Sequence, residues 1–219
     1  MLKAAIFDFD GTLFDSNYVW TTAGERFFQS IDIKPKPNLQ QKIRTMSLYQ
    51  SACYIRKEYD LSLTVKEIID GINRTVEDAY LHEVQPKAGV ITFLHALKAA
   101  GIRMCIATAT DRCQIEAALS RCNMLDFFEG IFTVSEVGHG KDEPVIFRKT
   151  MEFLGTDYSS TVIFEDALHA VRVAKADGFV TVGISDPYNQ EQEQLQAQCD
   201  CYLTDFRQPE HFWEFASHF

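Results

Sequence analysis

The chain has 219 residues, 46% of them hydrophobic and 12% aromatic, which is enough to bury a core in one large domain or in one plus a small second domain. Asp and Glu outnumber Lys and Arg by 31 to 21, so the net charge is -10, and with no basic stripe to offset it nucleic acid is excluded as a partner. No apolar run approaches the ~20 residues of a membrane span, which excludes a membrane protein with spanning helices.

The N-terminal apolar run is interrupted by Asp8 and Asp10, so it does not read as a signal peptide. Six cysteines (Cys53, Cys105, Cys113, Cys122, Cys199 and Cys201) are scattered without a CxxC pair, which fits free thiols in a cytoplasmic protein. Cys199-Asp-Cys201 lacks the second ligand pair that a metal site of that type uses.

The first strand is read over 3–8. Residues 17–82 then contain no clear strand run and read as helices at about 17–30, 38–58 with a break, and 64–81. Lys34-Pro35-Lys36-Pro37, Asp60-Leu61-Ser62 and Gln85-Pro86-Lys87-Ala88-Gly89 mark the breaks. After this insert a strand–helix rhythm sets in, with strands at 102–107, 130–134, 161–165, 179–183 and a short one at 201–203. The intervening stretches are amphipathic: Val90, Leu94 and Leu97 end at Gly101, and Ala167, Ala170, Val171 and Ala174 end at Gly178. The Gln-rich stretch 190–198 reads as a solvated helix face. The expected fold is α/β, a three-layer core of Rossmann type with a mainly parallel sheet, from 1–16 and 83–219, carrying an inserted all-α domain over 17–82.

In a parallel sheet a ligand site lies beyond the carboxyl ends of the strands. Asp8 and Asp10 sit at that end of the first strand, two residues apart and so able to face one site, unless they merely close a turn. Two anions so close call for a cation or a shared proton. Gly11 permits a tight turn, and Thr12 offers a hydroxyl. The second strand ends Ala107-Thr108-Ala109-Thr110 before a helix that starts at Asp111, a hydroxyl and free amides at a helix start that suit phosphate. Thr110 or Asp111 would cap that helix, Asp111 with Gln114 as a capping box. Gly138-His139-Gly140-Lys141 delivers a lysine in a flexible loop, and Glu165-Asp166 ends a further apolar strand, where Asp166 alternatively caps the next helix.

This order of strand-end residues resembles the haloacid dehalogenase superfamily of aspartate-nucleophile phosphotransferases, phosphoglycolate phosphatase and beta-phosphoglucomutase relatives among them. Asp8-Phe9-Asp10-Gly11-Thr12 matches its first motif, Thr108 its second, Lys141 its third and Glu165-Asp166 its fourth. The resemblance implies that Asp8 attacks phosphorus and that Asp10 protonates the leaving oxygen and then takes a proton from the attacking water. It implies Mg²⁺ held by Asp8, the Asp10 backbone carbonyl and Asp166, with Glu165 behind them orienting a metal-bound water or Lys141. Thr108, the Ala109 amide and Lys141 would bind phosphoryl oxygens. The helical insert falls where one branch carries a mobile cap.

The implied function is hydrolysis of a small-molecule phosphate monoester, a sugar phosphate or a phosphoglycolate-like ester. The alternatives are a beta-phosphoglucomutase-like mutase and, more distantly, a non-catalytic phospho-acceptor module. The second Asp and the cap argue against the last, which needs neither a general acid nor an enclosed site. In the insert, Arg44 at a helix break is a candidate for gripping a second substrate group, or else a solvated side chain. Trp20, with Ala23, Phe27 and Ile31 near helical spacing, reads as core of the insert, and Tyr18 is open between core and substrate contact.

Overall fold

The computed structural model describes residues 1–43, 46 and 48–219. In chain order, β1 (Ala4–Phe7) and β2 (Phe14–Asp15) lead into α1 (Asn17–Ser30), α2 (Leu39–Ile43), α3 (Leu48–Glu58) and α4 (Val65–His82). Then follow β3 (Gln85–Pro86), α5 (Val90–Ala99), β4 (Arg103–Thr108), α6 (Arg112–Arg121), β5 (Gly130–Thr133), α7 (Val134–Val137) and α8 (Val145–Leu154). The chain ends with β6 (Thr161–Glu165), α9 (Leu168–Asp177), β7 (Val180–Ile184), α10 (Gln192–Gln198), β8 (Cys201–Leu203) and α11 (Glu210–Ala216). Two compact units result, one of Met1–Ser16 with Val84–Phe219 and one of Asn17–Glu83.

The first unit is a six-stranded parallel sheet in the order β5-β4-β1-β6-β7-β8 between layers of helices, an α/β fold of Rossmann type. The chain moves from β1 to β4 and β5 on one side, then returns to β6 on the other. The ends of β1, β4 and β6 therefore flank a topological switch point, where α/β sheets bind ligands. Ala4, Ile6, Cys105, Ala107 and Ile163 bury one face against Ile146, Phe147 and Leu154 of α8 and Ala170 and Ala174 of α9. On the other face Phe7 stacks on Phe164 at 4.3 Å, and Phe164 meets Phe93 of α5 and Phe212 of α11.

Two strands begin one residue later than their apolar runs suggest. Ile102 N donates to Leu97 O at 3.0 Å and Phe179 N to Ala174 O at 3.0 Å. Each residue is thus spent closing the helix before it, after a glycine with positive φ. Phe14-Asp15 pairs with Gln85-Pro86, expected only as a break, in an antiparallel ladder of two residues.

The second unit is helical. Thr64 and Glu67 form a capping box that starts α4. Gly71 lets the Phe27 ring lie against α4, since a Cβ there would come within 2.6 Å of it. Trp20 departs from its expected place in the core. It is 45% exposed and donates its indole N–H to the Tyr80 hydroxyl at 3.0 Å. The buried stripe runs through Val19, Ala23 and Phe27, which leaves Trp20 on its flank. Arg44 lies outside the described residues. Among the described residues no helix is long and apolar enough to cross a membrane.

Candidate active site

Register builds the site. Ile6 pairs with Ile163 and Phe7 with Phe164, and Asp8 N donates to Phe164 O at 2.9 Å. Carried one residue further, the ladder sets Asp8 beside Glu165, both continuing the face of Ala4, Ile6 and Ile163 that packs on α8 and α9. Lys141 enters from the loop just before α8 on that same face. Its Nζ donates to Asp8 Oδ1 and, at 2.6 Å, to Glu165 Oε1. Glu165 Oε2 accepts from Ala167 N at 3.1 Å, so Glu165 braces both the lysine and the loop that carries Asp166.

Asp8, Lys141, Glu165 and Asp166 are all buried. Asp8, Glu165 and Asp166 each bring a carboxylate oxygen within 4.8 Å of the others. Three carboxylates thus lie together, two of them bonded to one ammonium. Burial pushes the Asp8 carboxyl up to about 8, against the pull of Lys141, with Glu165 and Asp10 pushing the same way. Burial alone would weaken the Lys141 charge, but Asp8 and Glu165 outweigh it and raise its pKa. An all-oxygen cluster with surplus negative charge is the donor set of a hard divalent cation, so these residues fit Mg²⁺.

Asp10 follows on the turn after β1, where Gly11 has a φ of +75° and donates its N–H to Phe14 O at 2.9 Å. Ser16 Oγ donates to Asp10 Oδ1 at 2.6 Å, and Thr110 Oγ1 to Asp10 Oδ2 at 2.6 Å. Thr108 is fully buried at the end of β4 and accepts from Thr110 N at 3.1 Å. Ala109 is exposed on the loop between β4 and α6. Thr12 is fully buried, with no hydrogen-bond partner for its hydroxyl among the described residues.

Two local expectations are corrected. Asp111 precedes α6, but its side chain makes no capping bond and instead accepts from Ser135 Oγ at 2.9 Å, so there is no capping box with Gln114. Asp166 does not cap α9 either, since Ala167 occupies that position.

The Asp10 partners, Ser16 and Thr110, carry no mark of that role in the sequence. Ser16 closes the Gly-Thr-Leu-Phe-Asp-Ser run, and Thr110 read only as a cap. Lys87 is likewise unmarked; it is buried and donates to Asp15 Oδ1 at 2.9 Å and to Asp186 Oδ2 at 3.0 Å.

A family model of haloacid dehalogenase-like hydrolases matches residues 5–184. The chain belongs to this family. It is 22% identical over 197 residues to a phosphorylated carbohydrates phosphatase of Thermotoga maritima, covering 90% of this chain and 91% of that one. It is 21% identical over 196 residues to the 6-phosphogluconate phosphatase of Escherichia coli K12, covering 86% and 85%. Among solved structures, a candidate beta-phosphoglucomutase of Thermotoga maritima superposes with a TM-score of 0.84 at 21% identity, covering 99% of both chains. That last likeness shows the fold. This haloacid dehalogenase-like hydrolase therefore carries its acidic cluster at the switch point of the family's α/β core.

Proposed function

We propose that the chain is a Mg²⁺-dependent phosphatase that hydrolyses a small phosphate monoester, a sugar phosphate or phosphoglycolate-like compound, through an aspartyl-phosphate on Asp8. The observation that carries this reading is the arrangement of Asp8, Lys141, Glu165 and Asp166, buried together at the switch point of a hydrolase fold. Relatives named as phosphatases of phosphorylated carbohydrates and of 6-phosphogluconate support the substrate class.

An Asp8 oxygen attacks phosphorus as the bond to the leaving oxygen breaks, and Asp10 gives that oxygen its proton. Water then attacks the aspartyl-phosphate, Asp10 takes the proton back, and phosphate leaves with Asp8 restored. Lys141, with Thr108 and the Ala109 amide, holds phosphoryl oxygens and offsets the repulsion between carboxylate and substrate. Asp8, the Asp10 backbone carbonyl and Asp166 would hold Mg²⁺, which supplies positive charge against the phosphoryl group when bound. Glu165 keeps Lys141 in line. The Asn17–Glu83 unit serves as the cap that selects substrate, with Arg44 gripping an anionic or hydroxyl group.

The test is turnover of a panel of sugar phosphates, 6-phosphogluconate and phosphoglycolate with Mg²⁺ and with EDTA. Mg²⁺-dependent phosphate release from at least one is expected. Full activity in EDTA, or no release from any ester, contradicts the reading. Turnover that requires a bisphosphate activator and isomerises the sugar marks a mutase instead.

A further inference from the structure

The loop after β7 reaches back to the main chain of Asp166. Asn189 Nδ2 donates to the Asp166 carbonyl at 2.5 Å, and Asn189 Oδ1 accepts from Glu191 N at 2.8 Å. The loop is itself anchored. Asp186 is 1% exposed; its Oδ1 accepts from Tyr188 N at 3.0 Å and its Oδ2 from Lys87 Nζ at 3.0 Å. Gln192 Nε2 donates to the Asp186 carbonyl at 2.6 Å. An unanchored surface loop would follow Asp166 as it moved, whereas one fixed to a buried ion pair can hold it still.

The peptide group that links Asp166 to Ala167 is therefore gripped at both of its polar atoms. Glu165 Oε2 accepts from its N–H, that of Ala167, and Asn189 donates to its carbonyl, that of Asp166. With that peptide group fixed, the Asp166 main chain has less room to shift, which keeps its carboxylate within reach of those of Asp8 and Glu165. We propose that Asn189 is a positioning residue which holds the main chain of Asp166, and through it the Asp166 carboxylate, in place for a divalent cation. This rests on the reading of Asp166 as a cation ligand. Groups behind a metal ligand commonly change metal affinity by about 10–100-fold when removed.

Mn²⁺, which is visible by electron paramagnetic resonance, is the probe in place of Mg²⁺, titrated into the full chain. Three variants decide the matter. Asn189→Leu removes both polar contacts. Asn189→Ser keeps a short acceptor for the Glu191 N–H but does not reach the Asp166 carbonyl. Asp166→Ala removes the carboxylate itself. Both Asn189 variants are expected to bind Mn²⁺ about 10-fold more weakly, with thermal melting near wild type. Should Asn189→Leu fold poorly, Asn189→Ser decides alone. Wild-type Mn²⁺ affinity in Asn189→Ser, beside a loss in Asp166→Ala, overturns the positioning role and leaves the cation reading standing. Wild-type affinity in Asp166→Ala overturns the cation reading, and the positioning role with it.

Discussion

The Thr110 hydroxyl donates to Asp10 Oδ2 at 2.6 Å, tying the exit of β4 to the turn after β1. Ser16 holds the other carboxylate oxygen, also at 2.6 Å. Asp10 thus has both oxygens fixed by hydroxyl donors, an arrangement suited to a group that must meet a leaving oxygen in one geometry. Thr110→Val keeps the shape and removes the donor. We expect kcat on an alkyl phosphate to fall roughly 10-fold, as for a misaligned general acid, while KM changes little. An unchanged kcat would show that Thr110 only closes the loop.

Asp10→Asn separates the acid from the nucleophile. An alkoxide leaves poorly without a proton, whereas an aryl oxide leaves well. The variant is therefore expected to lose about 100-fold or more on a sugar phosphate and far less on an aryl phosphate in a single turnover. Equal losses on the two substrates would mean that Asp10 does not protonate the leaving group.

Lys87 offers a test on stability. It donates to Asp15, to the Ser185 carbonyl and to Asp186, and both Lys87 and Asp186 are buried. Lys87→Met leaves the Asp186 carboxylate without its ammonium and is expected to cost about 3 kcal/mol in urea unfolding. Adding Asp186→Asn should recover part of that. Burial pulls the Lys87 pKa down, but Asp15 and Asp186 outweigh it and raise it. The stabilisation is therefore fully present at neutral pH, begins to fade as pH passes the ordinary lysine value of about 10.4, and is gone above the raised folded value. Identical unfolding midpoints for wild type and Lys87→Met at pH 7 would refute this.

The parts of the site that were legible in the sequence are those that sit at the ends of apolar strands. Asp8 follows Ala4–Phe7, and Glu165-Asp166 closes Thr161–Glu165, so each acid is marked by the run before it. Lys141 carries no such mark. It lies 133 residues from Asp8, and only its glycine loop ahead of a helix, and then the family resemblance, singled it out. Lys87 read as part of a break because Pro86 and Gly89 flank it, while the carboxylates that hold it lie 72 and 99 residues away. The edges of β4 and β7 shifted because Ile102 and Phe179 are apolar enough to look like strand yet close the preceding helices. Trp20 fell one position off the stripe of α1, a step that spacing alone does not resolve.

Covalent catalysis requires that Asp8 become phosphorylated. The most direct measurement mixes enzyme, Mg²⁺ and a phosphate ester, quenches in acid within one turnover, and reads by mass spectrometry the peptide that carries Asp8. We expect one phosphoryl group on Asp8 in wild type. In Asp8→Asn we expect none, with turnover lower by at least ~3 orders of magnitude, about 4 kcal/mol of transition-state stabilisation. Near-normal turnover in Asp8→Asn, or a phosphoryl group on another residue, would rule out Asp8 as the nucleophile.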